Sequence, residues 1–224
     1  MQFFQKRYQV PFAIILMPRK PRCFNDGLIY HVLNRGNNKR KIFYRYNDFQ
    51  FFLNLTRKSK KDFGINIFAY CLMPNHFHIV LSPDKGVLLS KWMHCLMRSH
   101  FIQYKRVHET TGHLWQGRFK SFVIQEDNHL LVILRYVERN PVRANLVVSA
   151  KNWSWSSHQE RIGKVHNPFL DNIPIELPPN WSEYVDQPLT DRELEVIRRG
   201  INRHSPFGNS EWKKTMSRKV PGTN

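Results

Sequence analysis

Two histidines stand two residues apart in AYCLMPNHFHIVL, residues 69–81. The run is otherwise apolar and reads as a β-strand. Strand side chains alternate faces, so His76, His78 and Val80 share one side while Phe77, Ile79 and Leu81 share the other. With Cα atoms about 7 Å apart, two imidazoles on one face can converge on a divalent cation. The same spacing suits two satisfied polar side chains on a solvated face, or a strand lining a nucleic-acid groove, and by itself it selects neither a metal nor a reaction.

A second constellation lies downstream in LRYVERNPVRANL, residues 134–146. Tyr136 and Asn140 are four apart, which on a helix separates them by about 40° and lets both face the histidine strand. Pro141 disfavours helical geometry in the residue before it, so the helix is expected to end near Asn140, where unsatisfied carbonyls favour a cation. Two imidazoles and a neutral amide oxygen would leave a divalent ion its full charge and open positions, which suits Lewis-acid activation of a phosphodiester. Tyr104 and His108 repeat the spacing on another expected helix, so spacing alone does not assign a nucleophile.

Lys and Arg total 35 against 17 Asp and Glu, a formal net charge of +18 over 224 residues. That imbalance calls for a polyanionic partner, nucleic acid before an anionic membrane surface. Basic residues gather in RKPR (19–22) and RGNNKRK (35–41), making Arg19, Lys20, Arg22, Lys39 and Arg40 candidates for phosphate contact. In LWQGRFK (114–120), Trp115 could stack on an unpaired base and Arg118 read phosphate or a guanine edge; Trp115 equally suits a core anchor before a strand.

These groups need a scaffold. GLIYHVLNRG (27–36) reads as a strand, and FQFFLNLTRKSKK as a helix with Asp48 near its start. INIFAYCLM and HFHIVLS, split only by Pro74 and Asn75, read as an antiparallel hairpin. LLSKWMHCLMRSHFIQYKRVHE (88–109) is a long helix, FKSFVIQ a strand, and NHLLVILRYVERN a helix capped by Asp127. The order implies an α+β fold, an antiparallel sheet with helices packed on it.

The chain divides into a basic arm (1–22), a main domain (23–150) and a proline-rich, basic extension (151–224) expected to wrap on the first domain. Met17 is a candidate start. The short apolar run from Val10 to Leu16 suits neither a membrane span nor a secretion signal, and Cys23, Cys71 and Cys95 form no CxxC pair. A reducing cytoplasmic setting is expected, with no membrane and no protein partner evident.

MPRKPR (17–22), YHVLNRGNNKRKIF (30–43), AYCLMPNHFHIVL (69–81), TGHLWQGRFKS (111–121) and RYVERNPVRANLV (135–147) together resemble the REP-associated tyrosine transposases, relatives of the single-tyrosine HUH transposases. The resemblance runs from Met17 to about Ser157, and more loosely through PFGNSEW. It implies an RRM-like or ferredoxin-like sheet, Mg²⁺ or Mn²⁺ held by His76, His78 and Asn140, and Tyr136 as nucleophile, with no such role for Tyr104. The expected activity is cleavage and rejoining of single-stranded DNA at hairpins through a 5′-phosphotyrosine, by a monomer or homodimer. A nuclease using activated water and a non-catalytic hairpin-binding protein are the alternatives.

Overall fold

Strand β1 (Ile29–Arg35) carries the β-branched and aromatic residues of GLIYHVLNRG and lies inside a four-stranded sheet. The computed structural model that shows this describes residues 22–109, 111–166 and 168–219. Helix α1 (Tyr46–Asp62) follows, opened by Asp48, whose Oδ2 accepts the backbone N–H of Tyr44 and Arg45 at 2.8 and 3.0 Å. Such a bond satisfies donors that a helix start leaves orphaned.

Strands β2 (Ile65–Met73) and β3 (His76–Pro83) form the expected hairpin around Pro74 and Asn75, with Met73 opposite His76. Helix α2 (Gly86–His108) and strand β4 (Lys120–Ile124) come next. The sheet order is β2-β3-β1-β4, every neighbouring pair antiparallel. Placing β3 between β1 and β2 is the split βαβ arrangement of ferredoxin-like sheets.

The two faces have different work. On one, Tyr30, Val32, Ile79 and Leu81 pack under Phe49 and Phe52 of α1 and Leu89, Trp92 and Leu96 of α2. On the other, Ile29, Cys71, Val80 and Phe122 meet Leu130, Ile133, Leu134 and Val137 of helix α3 (Asn128–Glu138). A register shift between Ile67 and Ala69 leaves Phe68 as an extra residue in β2. A bulge of this kind reverses the alternation, which is why Ile67 and Tyr70 reach the same cluster.

One expectation about Asn140 is corrected. Helix α3 closes at Glu138, but Arg139 keeps helical angles (φ −82°, ψ −5°) and the chain runs on into a short helix α4 (Asn140–Arg143). Pro141 falls in the first turn of α4, where a missing N–H costs nothing. Asn140 therefore opens a turn instead of ending one. Its carbonyl accepts the N–H of Ala144 at 3.0 Å, so it is not one of the free carbonyls of a helix end.

Residues after 150 cover both sheet edges. Along β2, Leu72 N–H donates to Trp155 O (2.8 Å) and Ser157 N–H to Tyr70 O (2.9 Å). Along β4, Phe207 N–H donates to Val123 O (2.8 Å) and Gln125 N–H to Phe207 O (2.9 Å). Edge pairing of this kind removes templates for aggregation. Helices α5 (His158–Arg161), α6 (Trp181–Asp186), α7 (Asp191–Arg203) and α8 (Ser210–Lys219) complete the segment. Trp181, Val185, Ile197 and Phe207 join the cluster under α3, while Phe169 and Met216 join the other.

Candidate active site

The register between β1 and β3 decides what surrounds the two histidines. Leu33 pairs with His78, Arg35 with His76 and His31 with Val80, and paired residues share a face. His31, Arg35, His76 and His78 thus stand on the face that α3 covers. Tyr136, on the last turn of α3, sets its ring edge-on to His78 with centroids 5.7 Å apart and to His31 at 6.1 Å. His76 and His78 rings lie 5.0 Å apart at 84°. His76 is half-buried at the strand's start, whereas His78 and Tyr136 are 2% and 6% exposed.

Asn140 completes the group. It is fully buried, its Oδ1 accepts from Arg143 Nη2 at 3.0 Å, and its Nδ2 is buried with no partner. Its side chain lies near the His76 ring and the Tyr136 phenol and bears on the protonation of each. Sequence spacing had suggested that Tyr136, Asn140, His76 and His78 face one another, and the fold brings all four together. The rings of Tyr104 and His108 lie against each other at a tilt of 35° on α2, across the sheet.

Burial, then Arg35 and Arg143, hold the His76 imidazole down at about 3, with Asn140 opposing. Burial and then neighbouring His31 keep His78 well below its ordinary value. Both rings are neutral at neutral pH, the form with a lone pair for a cation. Burial pushes the Tyr136 phenol up, while Arg143, Arg198, Asn140 and Arg35 pull the other way. The Arg143 guanidinium lies over the Tyr136 ring, 5.6 Å from its centroid.

Asn75 settles one tautomer. Its Nδ2 donates to Lys39 O at 3.1 Å, which turns Oδ1 toward His76 at 2.6 Å. An amide oxygen only accepts, so His76 donates from Nδ1 and keeps its Nε2 lone pair for a ligand. The donor set suits a divalent cation: two neutral imidazoles and an amide oxygen with a second lone pair. Among the described residues no group of three or more His, Cys, Asp or Glu gathers into a metal cluster. A cation here would rely on two imidazoles and neutral oxygens, with coordination left for phosphate.

The expected DNA contacts scatter more widely. Arg22 and Arg118 line a groove with Arg35, Lys120, Asn202 and His204, running from the histidine end of β1. Lys39 is exposed, but Arg40 is half-buried and donates from Nη2 to His113 O at 2.6 Å, tying its loop down. Trp115 is half-buried against Phe77 and His100, its indole N–H donating to Met97 O at 3.1 Å, the contacts of a core anchor. Arg19 and Lys20 lie outside the described residues.

His31, Arg143 and Asn75 were not singled out from the sequence. The available signal was the even spacing of His31 and Arg35 in IYHVLNR, which puts them on one strand face. Arg143 lay beyond the helix end that Pro141 suggested.

A ferredoxin-like α+β sheet presenting two imidazoles, a phenol and an amide in one cleft defines the class. The model for IS200-like transposases matches residues 25–140, more than half of the chain, and the chain belongs to that family. It is 27% identical over 100 residues to a Haemophilus influenzae protein assigned as a REP-associated tyrosine transposase, covering 40% of this chain and 56% of that one. The chain thus spans little more than half the length of that relative. A solved REP-associated tyrosine transposase bound to a REP hairpin superposes with a TM-score of 0.54 at 18% identity, over 72% of this chain and 95% of that one, and shows the same fold. A Deinococcus radiodurans protein assigned as a transposase gives a TM-score of 0.38 at 17% identity, over 54% and 96%. No helix among the described residues is long and apolar enough to cross a membrane.

Proposed function

We propose that the protein cleaves and rejoins single-stranded DNA beside hairpins of the REP type, using Tyr136 as nucleophile. The observation that carries this reading is the phenol of Tyr136 set edge-on to His78 at 5.7 Å, in a cleft bordered by Arg35 and Arg143. His76, His78 and Asn140 would hold Mg²⁺ or Mn²⁺, which when bound supplies Lewis-acid polarisation of the scissile phosphate.

Arg35 and Arg143 attract the phosphate and offset charge that builds on its oxygens during attack. The Tyr136 oxygen bonds to phosphorus as the bond to the 3′ oxygen breaks. The phenol's proton is lost and the leaving oxygen gains one, giving a 5′-phosphotyrosine and a free 3′-hydroxyl. Attack by another 3′-hydroxyl reverses the step and joins strands without an external energy source. Burial favours the protonated phenol of Tyr136, and Arg143 and Arg35 beside it pull toward the phenolate that attacks.

The groove lined by Arg22, Arg35, Arg118 and Lys120 gives the flanking single strand a basic path to the cleft. Incubation with an end-labelled hairpin carrying a single-stranded flank and Mn²⁺ tests the reading. A denaturation-resistant protein–DNA adduct, absent from Tyr136→Phe, is expected. Cleavage surviving that substitution would establish water as nucleophile, and binding without cleavage would establish a hairpin-binding protein.

A further inference from the structure

The cleft contains a third imidazole that the proposed chemistry does not use. His31 of β1 is fully buried, and its ring lies beside that of His78 with centroids 4.9 Å apart and planes 18° apart. Its Nε2 and the Nδ1 of His78 share a hydrogen bond of 2.8 Å. Phe122 closes on it edge-first at 5.0 Å, and its Nδ1 is buried with no partner.

We propose that His31 is a positioning residue: its Nε2 accepts the Nδ1–H of His78, fixing that ring in the tautomer whose Nε2 faces the cleft with a free lone pair. The inference rests on the metal reading above and deepens it.

Three observations support the assignment. First, an imidazole holding a cation through one nitrogen must carry its proton on the other, and that proton needs an acceptor. Nδ1 of His78 is within reach of a single candidate acceptor in the described hydrogen-bond pattern, His31 Nε2. Second, Asn75 plays the same part for His76 through Oδ1, at 2.6 Å, so both rings would be presented alike. Third, His31 is costly in itself: it leaves a buried ring nitrogen unpaired in a pocket walled by Phe122 and Tyr136, and its bond to His78 is what offsets that cost. A polar residue kept at such a cost points to the site it serves.

His31→Phe and His31→Gln separate this role from packing. Phenylalanine fills the space without an acceptor, whereas the glutamine oxygen can stand near the position of Nε2. Three readouts are needed on the full chain: thermal stability, Mn²⁺ affinity without DNA by calorimetry or electron paramagnetic resonance, and the His78 tautomer by long-range ¹H–¹⁵N correlation. Wild type is expected to show His78 protonated on Nδ1. His31→Phe should stay folded, bind Mn²⁺ about 10- to 100-fold more weakly, and move the His78 proton to Nε2, while His31→Gln restores the affinity and the tautomer. Unchanged Mn²⁺ affinity in His31→Phe, or His78 protonated on Nε2 in the wild type, would overturn the proposal. A wild type that binds no Mn²⁺ would instead sink the metal reading, with the tautomer measurement still deciding the role of His31.

Discussion

Glu138→Gln should loosen the whole extension and, with it, the helix that presents Tyr136. Glu138 lies between Tyr136 and Asn140 in sequence, but residues two apart on a helix are about 200° apart, so it faces away from the cleft. It is fully buried, and its carboxylate accepts from Ser157 Oγ at 2.6 Å, His158 Nδ1 at 3.0 Å, Arg161 Nε at 2.7 Å and Trp181 Nε1 at 2.8 Å. Burial alone would raise its pKa, but Arg161, His158 and Ser157 outweigh that and bring it to about 2. Glutamine keeps the size, removes the charge and puts an N–H where only donors point. It leaves the largely buried Arg161 guanidinium uncompensated.

Breaking a buried ion pair from one side costs about 3–5 kcal/mol. For a chain of this size each kcal/mol lowers the melting temperature by about 2–4 °C, so a fall of about 10 °C is expected. Urea denaturation gives the free energy, and limited proteolysis shows whether cleavage shifts to the segment after residue 150. A loss below about 1 kcal/mol, with an unchanged digestion pattern, would refute the clamp.

Other consequences follow from the same geometry. Arg35 and Arg143 beside the histidines oppose a cation until a phosphate arrives, so Mn²⁺ should bind about 5- to 150-fold more tightly with a single-stranded oligonucleotide present, measured by calorimetry; equal affinities would contradict this. Lys120→Ala should weaken DNA binding across sequences and reduce the slope of log affinity against log salt by about one, and an unchanged slope would remove the groove from the DNA path. Tyr104→Phe should leave adduct formation at the wild-type level, because Tyr104 lies on the opposite sheet face; loss of the adduct would reopen the choice of nucleophile.

The hairpin and its histidines were legible because their determinants are local. Pro74 and Asn75 mark the turn, and alternation puts His76 and His78 on one face whatever the rest of the chain does. The face of α3 was equally readable from its 3.6-residue period. His31 was not, because its place beside His78 depends on the pairing of β1 with β3, forty-odd residues away in sequence. Asn140 was mislocated at a helix end because Pro141 can begin a turn as well as forbid one. Glu138 looked ordinary because its four donors come from residues 157–181. Arg40 and Trp115 show the limit of reading charge and aromaticity as DNA contact, since loop and core packing use the same side chains.

In the proposed reaction Tyr136 becomes covalently joined to DNA. The most direct test is mass spectrometry of the protein after reaction with a hairpin substrate, followed by nuclease trimming and proteolysis. A nucleotide attached through its 5′ phosphate to the peptide containing Tyr136, on that residue, is expected. Cleaved DNA with that peptide unmodified, or the nucleotide on Tyr104, would contradict it.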